Sequence, residues 1–152
     1  MMNRDNAAPA TAGSAPAPAF CDEVGRPALI LDVAKLTRNT RKMADFATGG
    51  PAELRPHAKT HKGVEIARLQ LDAGAVGITC AKVGEAEALA DGGIPDILIA
   101  NEIIGPLKIA RLVELATRCT ITAAVDDADN VRQLSEAVVA PSTRTRSRCW
   151  SW

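Results

Sequence analysis

Apolar residues along this chain come in two alternating forms, short continuous runs and positions repeated every three or four residues. The first form predicts strands and the second predicts helices with one buried face. Ala28-Leu29-Ile30-Leu31 is a run ended by Asp32, an expected cap for a helix whose apolar stripe holds Leu36, Met43 and Ala47. Gly49-Gly50 stops that helix. Leu54 to Lys59 then predicts a short strand with Arg55, His57 and Lys59 on one face and Leu54, Pro56 and Ala58 on the other. Thr60 is expected to cap the next helix, with Ile66, Leu69 and Ala73 inward and a stop at Asp72-Ala73-Gly74.

The punctuation then repeats. Val76 to Cys80 predicts a strand, Val83 to Ala90 a helix, and Asp91-Gly92-Gly93 its end. Ile97 to Ala100 is continuously apolar and reads as a buried parallel strand. Pro106 suits the first turn of the helix behind it, whose inner face is expected at Leu107, Ala110 and Leu115. Thr120 to Val125 predicts a further strand, and Asp126 or Asp127 caps a helix carrying Val131, Leu134 and Val138. Strand and helix thus alternate five times at repeats of roughly 20 to 26 residues, the pattern of a parallel α/β fold. Periodicity alone does not separate an open sheet from a barrel.

Length narrows the choice. The 152 residues, 47% hydrophobic and 24% charged, suffice for one cored domain. A complete (β/α)8 barrel takes about 250 residues. Eighteen basic and eighteen acidic residues give a formal charge of zero, so no global field draws nucleic acid or a membrane surface, and a small zwitterionic ligand is the easier partner. Cys21, Cys80, Cys119 and Cys149 are scattered without zinc spacing or a dense disulfide framework, which fits a reducing cytoplasm. No apolar run reaches the roughly 18 residues of a membrane span. Residues 1–25, rich in alanine and proline over Met1 to Ala19, read as a disordered tail without a signal-peptide core, and the barrel-like pattern occupies 26–140. Residues 141–152 break the period and hold both tryptophans; the expectation is a frameshifted or truncated reading frame, with a solvated basic tail as the alternative.

Both histidines lie in Arg55-Pro56-His57-Ala58-Lys59-Thr60-His61-Lys62. An arbitrary lysine is a solvated surface charge. Arg55 and His57 share the predicted strand face of Lys59, but what raises Lys59 above that reading is the motif match described below. A lysine acts as a Schiff-base nucleophile only when neutral, which nearby positive charge favours. His57 is either a base or cofactor contact, or a paired histidine of the interior. His57 and His61 have metal-like spacing, but they straddle a strand-to-helix junction rather than one helical face. Asn101 and Glu102 follow a strand's carboxyl end, where sites gather in barrels, although Asn101 equally suits a helix cap. Cys80 reads best as a small buried residue. Lys82 and Glu85 look like ordinary residues of a helix start.

The eight-residue motif resembles the signature of the D-threonine aldolase and D-serine dehydratase family, whose barrel is alanine racemase-like. The similarity continues through Ala73 to Gly77, Cys80 to Ala88 and Asp96 to Glu102 and covers about Arg26 to Val138. The resemblance implies a partial (β/α)8 TIM barrel of α/β class, its N-terminal portion only, with Ala28 to Leu31 belonging to a smaller β domain. It implies pyridoxal phosphate held by Lys59, with Arg55 and His57 beside it. It also implies a divalent metal whose ligands lie outside this chain. The activity implied is that of a lyase, aldolase or dehydratase, acting on D-β-hydroxy amino acids such as D-threonine or D-serine, here as an incomplete or inactive fragment. An amino-acid racemase of the same fold and a non-catalytic pyridoxal-phosphate-binding module are the alternatives. An incomplete barrel exposes two sheet edges, which predicts poor solubility or homo-oligomerisation.

Overall fold

The computed structural model describes residues 29–139. The expected tails at 1–25 and 141–152 lie outside them. The chain divides between Asp32 and Val33, and every element below belongs to the second part. Helix α1 (Val33–Thr48) packs against α2 (Val64–Asp72), and then strand and helix alternate. The order is β1 (Ile78–Cys80), α3 (Val83–Asp91), β2 (Asp96–Glu102), α4 (Pro106–Leu115), β3 (Thr120–Ala124) and α5 (Ala128–Val139). All strand pairings are parallel and run in sequence order, β1 to β2 to β3. The lysine segment joins outside β1 through a single parallel bridge, His57 to Thr79.

That order decides between the two parallel architectures. A doubly wound sheet reverses strand order at a switch point. Here each successive strand is added on the same side, and right-handed crossovers then place the helices on one face. The result is one arc of a (β/α) barrel. Register puts Ile78, Ile97 and Ile121 in one row across the three strands, and Cys80, Ile99 and Ala123 in the next. These rows face the helices and join Leu89, Leu112, Val113, Leu115 and Leu134 in the core. Thr79, Leu98 and Thr122 form the intervening row on the opposite face. Among the described residues, no helix is long and apolar enough to cross a membrane.

Several local expectations fail for packing reasons. Residues 29–32 form no strand, and Leu29, Ile30 and Leu31 are exposed. In α1 the buried position is Ala44, while Met43 points to solvent. In α2 it is Ala67, joined on the inward side by Val64 and Leu71, with Leu69 exposed; the helix starts at Val64 and not just after Thr60. The inner face of α4 is Ile109, Leu112, Val113 and Leu115; Leu107 and Ala110 lie outside it. Pro106 does occupy the first turn. Of the two candidate caps of α5, Asp127 is the one used: its Oδ1 accepts the backbone N–H groups of Asp129 and Asn130, each at 2.9 Å.

One close approach sets the spacing of α2 and α3. A Cβ placed on Gly92 would lie 2.4 and 2.5 Å from the γ carbons of Val64. Arg68 also donates to the Gly92 carbonyl. Gly92→Ala is therefore expected to destabilise the protein by about 1–3 kcal/mol through overpacking, read as a lower urea midpoint. An unchanged midpoint would mean that the helices separate freely.

Candidate active site at the carboxyl ends of the strands

The motif strand ends where its backbone turns. Ala58 is buried at 2% exposure and anchors the helix-facing side, and its N–H donates to the Thr79 carbonyl at 2.8 Å. Lys59, next in the chain, enters a turn closed by the Lys62 N–H donating to the Ala58 carbonyl at 2.8 Å. Both histidines brace this turn in the same way. The Lys59 N–H donates to His57 Nδ1 at 3.0 Å, and the Gly63 N–H donates to His61 Nδ1 at 3.0 Å. A ring nitrogen that accepts carries no proton, so each neutral imidazole holds its hydrogen on Nε2. Thr60 caps nothing; α2 starts after Gly63, which has no side-chain cap.

The two lysines of the turn differ. Lys62 adopts a left-handed backbone, φ 51°, uncommon outside glycine. Its Nζ lies 3.3 Å from Glu85 Oε1, while Glu85 Oε2 accepts the Ala81 N–H at 3.0 Å. That N–H, followed by the Lys62 ammonium, holds the Glu85 carboxyl below its ordinary value. Glu85, expected to be an ordinary helix-start residue, thus ties the lysine turn to the end of β1. Lys59 is exposed and, among the described residues, has no ion pair. Its amine is the available one.

The other expected residues have partners of their own. Arg55 lies one alternation further from the turn than His57 and pairs with Asp96, Nη1 to Oδ1 at 2.7 Å and Nη2 to Oδ2 at 3.3 Å. Asn101 caps no helix. Its Nδ2 donates to the Ala81 carbonyl at 3.4 Å and its Oδ1 accepts the Glu102 N–H at 3.1 Å, beside a register shift between Ile99 and Glu102. A bulge of this kind re-aims side chains at a sheet's rim. Cys80 is fully buried, and burial pushes its thiol up to about 11, so it is no nucleophile. Among the described residues, no three His, Cys, Asp or Glu side chains gather as metal ligands.

Burial also pushes the His61 imidazole below its ordinary value of 6.5. The folded chain therefore prefers neutral His61. Its contribution to stability is complete above the unfolded value and is lost as pH falls through the lower folded one. Chemical denaturation at pH 7.5 and 5.5 is expected to show a lower midpoint in acid, with a smaller drop in His61→Asn. An equal drop in both proteins would place the acid sensitivity elsewhere.

An arc of sequential parallel strands with a lysine at its carboxyl rim is part of a (β/α) barrel, the fold whose sites gather at that rim. The chain belongs to the family described as alanine racemase, N-terminal domain, which it matches over residues 31–150. It is 48% identical over 117 residues to a 3-hydroxy-D-aspartate aldolase of Paracoccus denitrificans, covering 76% of this chain and 30% of the relative. A D-threo-3-hydroxyaspartate dehydratase of Delftia sp. is 36% identical over 101 residues, covering 66% and 26%. Among solved structures, D-threonine aldolase from Filomicrobium marinum superposes with a TM-score of 0.74 at 48% identity, over 76% of this chain and 31% of that one. The chain thus spans about a third of the length of the relatives it matches. The partial barrel expected from the motif is the fold observed.

Proposed function

We propose that this chain supplies the cofactor-lysine part of a pyridoxal-phosphate-dependent aldolase acting on D-β-hydroxy amino acids of the D-threonine or 3-hydroxy-D-aspartate kind. The observation that carries the reading is the contrast between the two lysines of the motif turn. Lys62 is paired with Glu85, whereas Lys59, on a turn fixed by three hydrogen bonds, has an amine with no ion pair among the described residues. A held, unpaired amine suits an aldehyde cofactor. When bound, pyridoxal phosphate supplies an electron sink for cleavage at the substrate's α-carbon.

The chain's own residues then have separable tasks. Lys59 would hold the cofactor through Nζ, where its amine would give up or take up a proton. His57 presents Nε2–H as a donor, because Nδ1 is occupied by the Lys59 N–H. This wiring favours the expected role of cofactor contact over that of base. Glu85 keeps the second ammonium away from Lys59 by holding Lys62. Cleavage of the bond between α- and β-carbons, rather than dehydration, is supported by the two similarities at 48% identity, both to proteins named aldolases.

The test is borohydride reduction of the chain with pyridoxal phosphate, followed by peptide mapping, and assay of D-threonine and 3-hydroxy-D-aspartate for glycine and aldehyde. Label on Lys59 with glycine release is expected. Label on Lys62 instead, or on neither, would sink the cofactor assignment. Release of ammonia and a keto acid would point to a dehydratase, and of the L-enantiomer to a racemase.

A further inference from the structure

The lysine segment is thinly attached to the sheet. Three backbone hydrogen bonds join it to β1 and the residues just before it: Val76 N–H to Leu54 carbonyl at 3.0 Å, Thr79 N–H to Pro56 carbonyl at 2.8 Å, and Ala58 N–H to Thr79 carbonyl at 2.8 Å. Pro56 has no N–H to add. Of Leu54, Pro56 and Ala58 on the helix-facing side, only Ala58, a methyl group, is fully buried. A short edge segment with a small apolar anchor has weakly specified register, and a slip of one residue would carry Lys59 and His57 to the opposite face.

Arg55 compensates from the other end of the segment. Its guanidinium passes just ahead of β1 and grips the Asp96 carboxylate at the start of β2 through both Nη atoms. The crossing passes over Gly77. A Cβ there would lie 2.0 Å from Arg55 Nη1, 2.7 Å from Cζ and 2.9 Å from the Asp96 carbonyl oxygen. Thr79 Oγ1 adds a bond to the Arg55 carbonyl at 3.4 Å. Because the fork is planar and two-pronged, it fixes both distance and direction, which a single lysine contact would not.

We propose that Arg55 is a positioning residue: through Asp96, across a position kept free of a side chain at Gly77, it sets the register in which the lysine segment lies on β1. This departs from the expectation that Arg55 touches the cofactor. Its consequence for cofactor chemistry rests on Lys59 being the cofactor lysine, but the clamp itself does not.

The experiment compares Arg55→Gln, Asp96→Asn, their double variant and the swapped pair Arg55→Asp/Asp96→Arg with the unchanged chain. Asp91→Asn, which removes the exposed Arg118 ion pair, is the control. Amide hydrogen exchange is read at Ala58 and Thr79, and borohydride-trapped pyridoxal phosphate is read as the ratio of Lys59 to Lys62 label. Each single variant is expected to speed exchange at both amides about threefold to tenfold, with the double no worse than the poorer single. The swap should recover most of the protection, and the labelling ratio should fall and recover in parallel. General loosening would expose both lysines alike and leave that ratio unmoved. Unchanged exchange in the single variants, or a ratio altered by Arg55→Gln but not by Asp96→Asn, would overturn the clamp. Absence of label in the unchanged chain, with the exchange pattern intact, would remove the cofactor reading and leave the clamp standing.

Discussion

Lys59→Ala is expected to abolish covalent uptake of pyridoxal phosphate while leaving the folded state intact. The amine is the only part of the side chain with a proposed task, since Lys59 is exposed and has no ion pair among the described residues. Surface truncations of this kind usually change stability by no more than about 0.5 kcal/mol. Lys62→Ala is the matched comparison, because it removes an ammonium from the same turn but releases Glu85. Absorbance in the visible region with added cofactor, followed by reduction and mass measurement, should show complete loss in Lys59→Ala and retention in Lys62→Ala. Loss in both would mean that the turn itself, rather than one amine, is what the cofactor needs.

Ile97→Ala is expected to cost about 2–5 kcal/mol, a large part of a typical domain's total stability. Ile97 is completely buried at the centre of the sheet, where its row partners are Ile78 on β1 and Ile121 on β3. Flanked on both sides by paired strands, the site cannot collapse to fill the space left by the lost methyl groups. Urea titration followed by far-ultraviolet dichroism would measure the loss. A cost below about 1 kcal/mol would show that the row is not close-packed. Leu98→Ala, on the half-buried opposite face, should cost less than Ile97→Ala.

The residues differ in how far their roles were legible from the chain alone. Strand and helix order was readable because each element carries its own period and its own stop, as at Gly49-Gly50 and Asp91-Gly92-Gly93. Which helical positions face inward was less so. Met43, Leu69 and Leu107 fit the period, yet solvent takes them, since a period fixes which positions share a face and leaves to the packing which face turns inward. The early expected start at Thr60 failed for a related reason: the two histidines supply local acceptors that hold the backbone in a turn until Gly63. Lys59 was recognisable because eight consecutive residues carry the motif. Its distinction from Lys62 was not, as that depends on Glu85, which lies 23 residues away in sequence.

By itself, then, the sequence determined the alternation of parallel strands and helices, the family motif and the lysine at its centre, because propensity, period and local spacing are written in neighbouring residues. Tertiary structure decided strand order, the burial of Ala44 and Ala67, and the pairing of Arg55 with Asp96. The Arg55–Asp96 grip over Gly77 joins the lysine segment to β2 across the residue that precedes β1, which lies between these two strands. Its energy exists only once those strands lie side by side, so no window of neighbouring residues could have announced it.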